Sequence, residues 1–253
     1  MDAVIFGLLL ALFAGLSTTI GGLLVFFIKD FKKCYLSFSL AFATGIMIIV
    51  SFIELLPAGI AALSYGTALI MFFVGAAIAF LIDHFIPHNY AMEKSLDKKQ
   101  DQKLFRLGLL VALGIAIHNF PEGFAVFAGN LSSLKLGLTV AVALAIHNIP
   151  EGFAVAMPIY YATKNRAKAF FAAFFSGIAE PIGALLAALI LLPFLSEQLI
   201  GASLALVAGI MVYICIDELL PTAYSCSDGK QHLMTFAFLL GSMVMGATLI
   251  LLN

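Results

Sequence analysis

The sequence AIHNFPEGFAV at residues 116–126 recurs as AIHNIPEGFAV at residues 145–155, with ten of the eleven positions identical. Each copy places a histidine, an asparagine, a proline and a glutamate within an otherwise apolar stretch. The two copies start 29 residues apart, which is about the length of one membrane-spanning helix and a short turn. The repeat therefore predicts two successive, antiparallel helices that carry the same polar residues.

The composition is that of an integral membrane protein. Of the 253 residues, 63% are hydrophobic and 11% are charged, whereas a soluble domain carries about 25% charged residues. A net charge of −1 without a basic cluster gives no indication of nucleic-acid binding. Cys34, Cys215 and Cys226 lack CxxC spacing, so we expect small buried hydrophobic side chains rather than disulfides or a thiolate metal site.

Eight apolar segments are long enough to cross a bilayer, which requires about 20 residues each. The first is too long for a signal peptide, so it too is predicted to span the membrane. The longest connection, residues 87–103, is predicted to be a flexible cytoplasmic loop. We expect an all-α membrane protein, a single domain over residues 1–253, with transmembrane segments at 3–28, 35–56, 66–86, 104–128, 134–158, 167–192, 198–221 and 233–252.

The lysines and arginines predict the orientation of these segments. Twelve of the thirteen lie in or beside odd-numbered connections, and only Lys135 lies in an even-numbered one. Short, positively charged loops stay on the cytoplasmic side of the membrane. We therefore expect a protein of the cytoplasmic membrane with both termini outside.

Polar residues within the predicted spans mark the candidate site. A carboxylate at mid-membrane costs at least about 2.5–3.5 kcal/mol, and such residues usually face a bundle interior or a water path. Every lysine and arginine lies in a loop or at a helix end, so none serves as a counter-ion inside the membrane, and protons or metal ions are needed to balance the charge. The residues are His118, Asn119, Glu122, His147, Asn148, Glu151 and Glu180, with Glu54, Asp217 and Glu218 as possible pathway residues.

The spacing of these residues favours a metal site. Glu122 lies one helical turn beyond both His118 and Asn119, so its carboxylate can share an ion with either. The second copy repeats this arrangement. Pro121 and Pro150 each lack an N–H and are predicted to kink helices four and five beside the ligands. Imidazole suits zinc, iron, copper or nickel, and two glutamates balance one divalent ion.

The direction of the two copies predicts an inverted repeat. Equivalent sequences on antiparallel helices are related by a pseudo-two-fold axis in the membrane plane, which is typical of transporters. In addition, FIELLPAG in segment two resembles IDELLPTA in segment seven. We expect segments 1–4 to be an inverted relative of segments 5–8.

On the doubled HNFPEG and HNIPEG motifs, with EPIG in segment six, the chain resembles the ZIP (Zrt/Irt-like) divalent-metal transporter family, most closely its bacterial branch. The resemblance covers essentially the whole chain. It implies import of zinc, and also of iron, manganese, cobalt or cadmium, by an elevator-like motion of a homodimer, with no cofactor besides the transported ions. It also implies a main ion held by His118, Glu122, His147 and Glu151, and a second supported by Asn119, Asn148 and Glu180 with Glu122 and Glu151 bridging.

The chain departs from some relatives at two places. Those relatives carry glutamine and aspartate where this chain has His147 and Asn148, and the neutral Asn148 removes one charge from the second position. Asp83 and His84 lie at the start of the third connection. Either they act in exit or sensing of the metal ion, or they are solvated residues at a helix end. The same alternative applies to Asp217 and Glu218.

Two other functions compete with a carrier. A metal-selective channel would use the same ligands. An intramembrane metallohydrolase would typically carry HExxH on a helix with a general base, but asparagine follows each histidine here. We therefore expect a transporter rather than an enzyme.

Overall fold

A computed structural model describes residues 3–28, 32–85, 100–194 and 196–252, without the side chains of 83–85, 100–104, 106–108, 110–111, 114, 117–118 and 252. The regular structure in these ranges is helical. The helices are α1 Ala3–Leu24, α2 Lys33–Ala62, α3 Tyr65–Phe85, α4 Gln100–Ser132, α5 Leu134–Thr163, α6 Arg166–Leu191, α7 Glu197–Ser225 and α8 Gln231–Leu252.

The length and apolar composition of the helices confirm an integral membrane protein. Within the described residues, α1, α2, α3, α5, α6, α7 and α8 are each long and apolar enough to cross a bilayer. The remaining helix, α4, has 33 residues, which also exceeds the length that a crossing requires.

Several helices are longer than their predicted segments. Helix α2 continues to Ala62 and α5 to Thr163, because hydropathy marks the part of a helix inside the bilayer rather than its end. The last residues of the predicted 87–103 loop, from Gln100 on, belong to α4, and 87–99 lie outside the described residues. Pro121 and Pro150 lie inside helices that continue on both sides.

The sequence did not predict two widened helical turns. Ser51–Leu55 in α2 and Cys215–Leu219 in α7 are π-helical. Each is followed by a leucine and a proline, Pro57 or Pro221. Because proline has no N–H, it cannot donate to the carbonyl four residues earlier, and a wider turn accommodates the change. Such turns frequently occur at functional sites.

The helices form two groups. In the site group, α1, α4, α5 and α6 all pack against one another. In the flanking group, α8 packs along α2, α3 packs along α7, and α2 contacts α7. The groups meet chiefly where α2 packs on α5 and α7 packs on α4.

Glycines allow the closest helix contacts, and these contacts occur in matched pairs. A Cβ at Gly123 on α4 would overlap the carbonyl oxygen of Glu180 on α6, and a Cβ at Gly152 on α5 would overlap that of Thr18 on α1. Small residues at helix interfaces of membrane proteins let backbones approach in this way. Further matched pairs are Gly183 on Phe120 with Gly21 on Ile149, Gly45 on Phe238 with Gly209 on Phe72, and Gly75 on Leu206 with Gly241 on Phe42.

Candidate metal site

The repeated motif brings three ligand side chains together inside the site group. Glu122 on α4 and His147 and Glu151 on α5 each offer one ligand atom, and these atoms all lie within 4.8 Å of one another. All three side chains are fully buried. Their meeting follows from the single residue, Ser133, that separates α4 from α5, because so short a connection makes the two helices antiparallel neighbours.

The imidazole of His147 lies between the two carboxylates. Its Nε2 is 3.0 Å from Oε1 of Glu122, and its Nδ1 is 3.8 Å from Oε1 of Glu151. Ligands of a tetrahedral zinc ion with bonds of about 2.0–2.1 Å lie about 3.3 Å apart. The separation of Nε2 from Oε1 of Glu122 is close to this value. An imidazole binds one ion through one nitrogen, and with one ligand atom from each residue the three atoms lie within 4.8 Å of one another.

The two asparagines are oriented by helix carbonyls. Nδ2 of Asn119 donates to the carbonyl of Ser176 (3.2 Å), and Nδ2 of Asn148 donates to the carbonyl of Ala14 (2.9 Å). Both side chains are fully buried, and within the described residues neither Oδ1 accepts a hydrogen bond. A buried amide oxygen without a donor is suited to binding a cation.

Glu180 adds a third buried carboxylate on α6. Its Oε2 accepts a 2.7 Å hydrogen bond from Nδ2 of Asn148, while its Oε1 has no hydrogen-bond partner among the described residues. The charges of Glu122 and Glu151 act on it. Removing three carboxylates from water without counter-charge is very costly, so this group requires protons or cations.

The other predicted residues occupy several environments. The backbone places His118 on α4 one turn before Glu122, and the side chains of His118, Asp83 and His84 lie outside those that the structure describes. Of the acidic residues in the widened turns, Glu54 and Glu218 are half-buried. Asp217, in the second widened turn, is exposed.

Two cavities flank the central helices at matching places. One of about 610 Å³ lies among α3, α4, α6 and α7, and Phe120, Pro121 and Glu218 are among its lining residues. The other, of about 340 Å³, lies among α1, α2 and α5 and is lined by Ile149 and Pro150. Phe120 and Ile149 occupy the same position in the two motif copies. The cavities beside them therefore correspond to each other, and they differ in size.

Sequence reasoning gave α1 no part in the site, yet α1 supplies the carbonyl of Ala14 and lies against α5 at Gly152. The sequence does contain a signal for this role of α1. GLSTTIGG at residues 15–22 matches GIAEPIGA at residues 177–184 in its first glycine, its isoleucine and the glycine that follows. In this alignment Thr18 takes the place of Glu180.

A family model described as ZIP zinc transporter matches residues 87–249. The chain belongs to this family. It is 48% identical to the zinc transporter ZupT of Chlorobium luteolum, across 97% of both chains. It is 44% identical to that of Oceanobacillus iheyensis across the full length of both chains, and 44% identical to that of Corynebacterium glutamicum across 96% of this chain and 97% of the relative. These matches confirm the family resemblance and favour a transporter over an enzyme.

Proposed function

We propose that this chain imports zinc, and also the related ions iron, manganese, cobalt and cadmium, across the cytoplasmic membrane. The observation that carries this proposal is the fully buried group of Glu122, His147 and Glu151, whose ligand atoms converge within 4.8 Å. Its imidazole and carboxylate donors lack a thiolate, and this chemistry suits reversible binding of a borderline divalent ion.

In this proposal His118 completes the main position, because it lies one turn before Glu122 as His147 lies one turn before Glu151. Asn119, Asn148 and Glu180 support a second position with Glu122 and Glu151 as bridging ligands. One divalent ion compensates two of the three carboxylate charges. The hydrogen bond from Asn148 orients Glu180, whose remaining charge is compensated either by a second ion or by a proton.

The proposed mechanism is alternating access through an inverted repeat. The matched glycine contacts support it. Each contact has a counterpart in which α4 is replaced by α5, α1 by α6, α2 by α7 or α3 by α8. These pairs favour repeats of α1–α3 and α6–α8 around the central pair α4 and α5, whereas the sequence suggested segments 1–4 and 5–8. Transporters with such repeats carry their substrate at the repeat interface, which is where the two motif copies meet.

The unequal cavities support the same mechanism. Phe120 and Ile149 occupy the same position in the two motif copies, yet the cavities beside them differ in size, and such asymmetry between related halves is expected of one state in an alternating cycle. The site group, which carries the ligands, would move against the flanking group in an elevator-like step. Glu218 at the larger cavity, and Glu54 at the equivalent position in α2, are then candidates for pathway residues. Asp217, beside Glu218 near the cytoplasmic end of α7, and Asp83 and His84 at the start of the third connection are further candidates.

The proposed orientation has both termini outside, since twelve of thirteen lysines and arginines fall in odd-numbered connections. This orientation makes the short turn at Ser133 extracellular.

A homodimer is proposed from the family resemblance, and the mass of the detergent-solubilised protein tests it.

Uptake of zinc into liposomes that contain the purified protein tests the function. We expect saturable uptake, and we expect Glu151→Gln to reduce it at least 100-fold, because the change removes a ligand charge while keeping the size of the side chain. Glu197→Gln, at an exposed position at the start of α7, is the matched control and should transport normally. Normal uptake by Glu151→Gln in correctly inserted protein contradicts the site, and uptake that never saturates indicates a channel.

A further inference from the structure

The larger cavity opens sideways, between two helices that do not touch along their length. Helix α4 packs against α6 and α7, and α3 packs along α7, but among the described residues α3 and α6 do not pack along each other. Ile78 and Ile82 on α3 and Ile182 on α6 line the cavity and are 37%, 50% and 48% exposed. Ile78 and Ile182 lie inside membrane-spanning helices, so this opening faces the hydrocarbon of the bilayer.

The cavity is long and narrow. Its lining on α7 extends from Ser203 to Glu218, a length of helix that spans roughly 22 Å. Over that length, the volume of about 610 Å³ corresponds to a channel about 6 Å across. A channel of this width admits one hydrocarbon chain, whose carbon atoms make their best contacts at about 3.5–4.0 Å from the surrounding atoms.

The lining of the cavity suits hydrocarbon better than water. Among the described lining residues, only Ser203, Tyr213 and Glu218 have polar side-chain atoms, and the Ser203 hydroxyl already donates to the carbonyl of Leu199 (2.8 Å). A buried water needs two to four polar partners, whereas cavities lined by leucine, isoleucine and phenylalanine take up apolar molecules. The apolar groups that reach an opening inside a bilayer are the acyl chains of its lipids.

We propose that the larger cavity binds one acyl chain of a membrane phospholipid, which enters between α3 and α6 and lies along α7. Helices α4 and α6 belong to the site group, and α3 and α7 belong to the flanking group. The bound chain therefore packs between the two groups and stabilises their present arrangement. In the elevator-like step of the proposed function, the chain leaves before the groups close on each other. That consequence rests on the proposed function, whereas the binding of the chain does not.

The smaller cavity provides a comparison within the same molecule. When SFIELLP at residues 51–57 is aligned with CIDELLP at residues 215–221, Phe38 and Phe42 are the equivalents of Ala202 and Leu206. Both phenylalanines line the smaller cavity, and their rings stack with centroids 6.4 Å apart. In that half of the protein, aromatic side chains occupy space that the other half leaves to the larger cavity. We therefore expect the acyl chain to bind in the larger cavity.

Photolabelling from the lipid tests the proposal. The purified full-length protein is reconstituted in liposomes that contain a phospholipid with a diazirine on one acyl chain, and mass spectrometry locates the label after illumination. We expect label on Val207, which lines the cavity and is only 3% exposed. We expect none on Leu204, a buried residue of the same helix outside the cavity lining. Lipid that merely surrounds the protein labels exposed residues such as Phe73, and label confined to such residues overturns the proposal.

Two variants that fill the cavity from opposite walls sharpen the test. Ala79→Phe on α3 and Ser203→Leu on α7 each add bulk at a lining residue. We expect the label on Val207 to fall at least fivefold in both. Ala77→Phe is the matched control, because Ala77 is an exposed residue of α3 outside the lining, and its labelling should stay the same. Thermal unfolding shows which variants are folded, and unchanged labelling in a folded filling variant refutes the site.

Two further measurements separate this inference from its alternatives. A water-soluble diazirine that labels Val207 as strongly as the lipid probe shows a water-filled cavity and overturns the proposal. Zinc uptake should be at least about threefold slower in Ala79→Phe than in Ala77→Phe, because a ring fixed in the cavity cannot leave it. Equal uptake by the two contradicts the need for the chain to leave. If the unaltered protein takes up no zinc, the proposed function fails, while the labelling still decides whether the chain binds.

Discussion

The two copies of the repeated motif have the same residues but different neighbours. Asn119 and Asn148 each donate to a helix carbonyl, at equivalent points on α6 and α1. Only Asn148 also donates to a carboxylate, that of Glu180. The difference arises outside the motif, since α6 carries Glu180 where α1 carries Thr18.

The surroundings of the two motif copies share their backbone packing but differ in charge. The backbone packing is similar on both sides, because the close glycine contact of α4 with α6 recurs between α5 and α1. The charge is not matched, because the third carboxylate is present on one side alone. We infer that packing preserves the repeat, while a single substitution pair, Thr18 and Glu180, makes the site one-sided.

Matched glycine substitutions give the largest expected effect on this comparison. Gly123→Ala and Gly152→Ala each place a methyl group against a backbone carbonyl, of Glu180 or Thr18. Neither carbonyl can move without shifting a helix, so we expect each variant to be destabilised by about 1–3 kcal/mol or more. The measurement is the thermal unfolding midpoint of the purified protein.

Gly246→Ala is the control for both variants, because nothing lies within 4 Å of a Cβ at this position of α8. Alanine is favoured over glycine in a helix by roughly 0.5–1 kcal/mol, so its midpoint should stay the same or rise. A large loss of thermal stability in Gly123→Ala without one in Gly152→Ala contradicts matched packing at the two positions.

The next effect concerns the unmatched carboxylate. Glu180→Gln keeps an oxygen that can accept from Asn148 and removes only the charge. We expect the apparent affinity for zinc to fall about tenfold, a typical loss when an outer ligand partner is removed, and the measurement is the concentration dependence of zinc uptake. An unchanged affinity means that the one-sided charge has no part in binding.

Most of the candidate site could be predicted from the sequence, because its residues are costly to bury in a membrane and occur in a repeated motif. An ionisable residue inside a membrane span needs a functional reason, and helical spacing alone placed Glu122, His147 and Glu151 on facing helices. The membrane class and the helix order followed from hydropathy, which depends on composition rather than on tertiary contacts.

Other features depend on tertiary contacts and could not be predicted in this way. The thioether of Met47 approaches Cys215 only because α2 packs against α7, so neither residue differs in sequence from an ordinary buried one. The widened turns depend on how a helix accommodates proline and cannot be told from hydropathy. Thr18 was missed because a neutral hydroxyl costs far less to bury in a membrane span than a carboxylate and so attracts no attention in the sequence.

The smallest effect we expect comes from Thr18, and it sharpens the contrast with Glu180. The Thr18 hydroxyl is fully buried and has no hydrogen-bond partner among the described residues. Replacing an unsatisfied buried polar group by an apolar group of the same shape is nearly neutral or stabilising, so Thr18→Val should raise stability by about 0–1 kcal/mol and leave zinc uptake unchanged. Thermal unfolding and uptake assays on one preparation measure both quantities. If uptake falls as far as in Glu180→Gln, the hydroxyl takes part in binding, and the two halves of the site are more alike than their charges indicate.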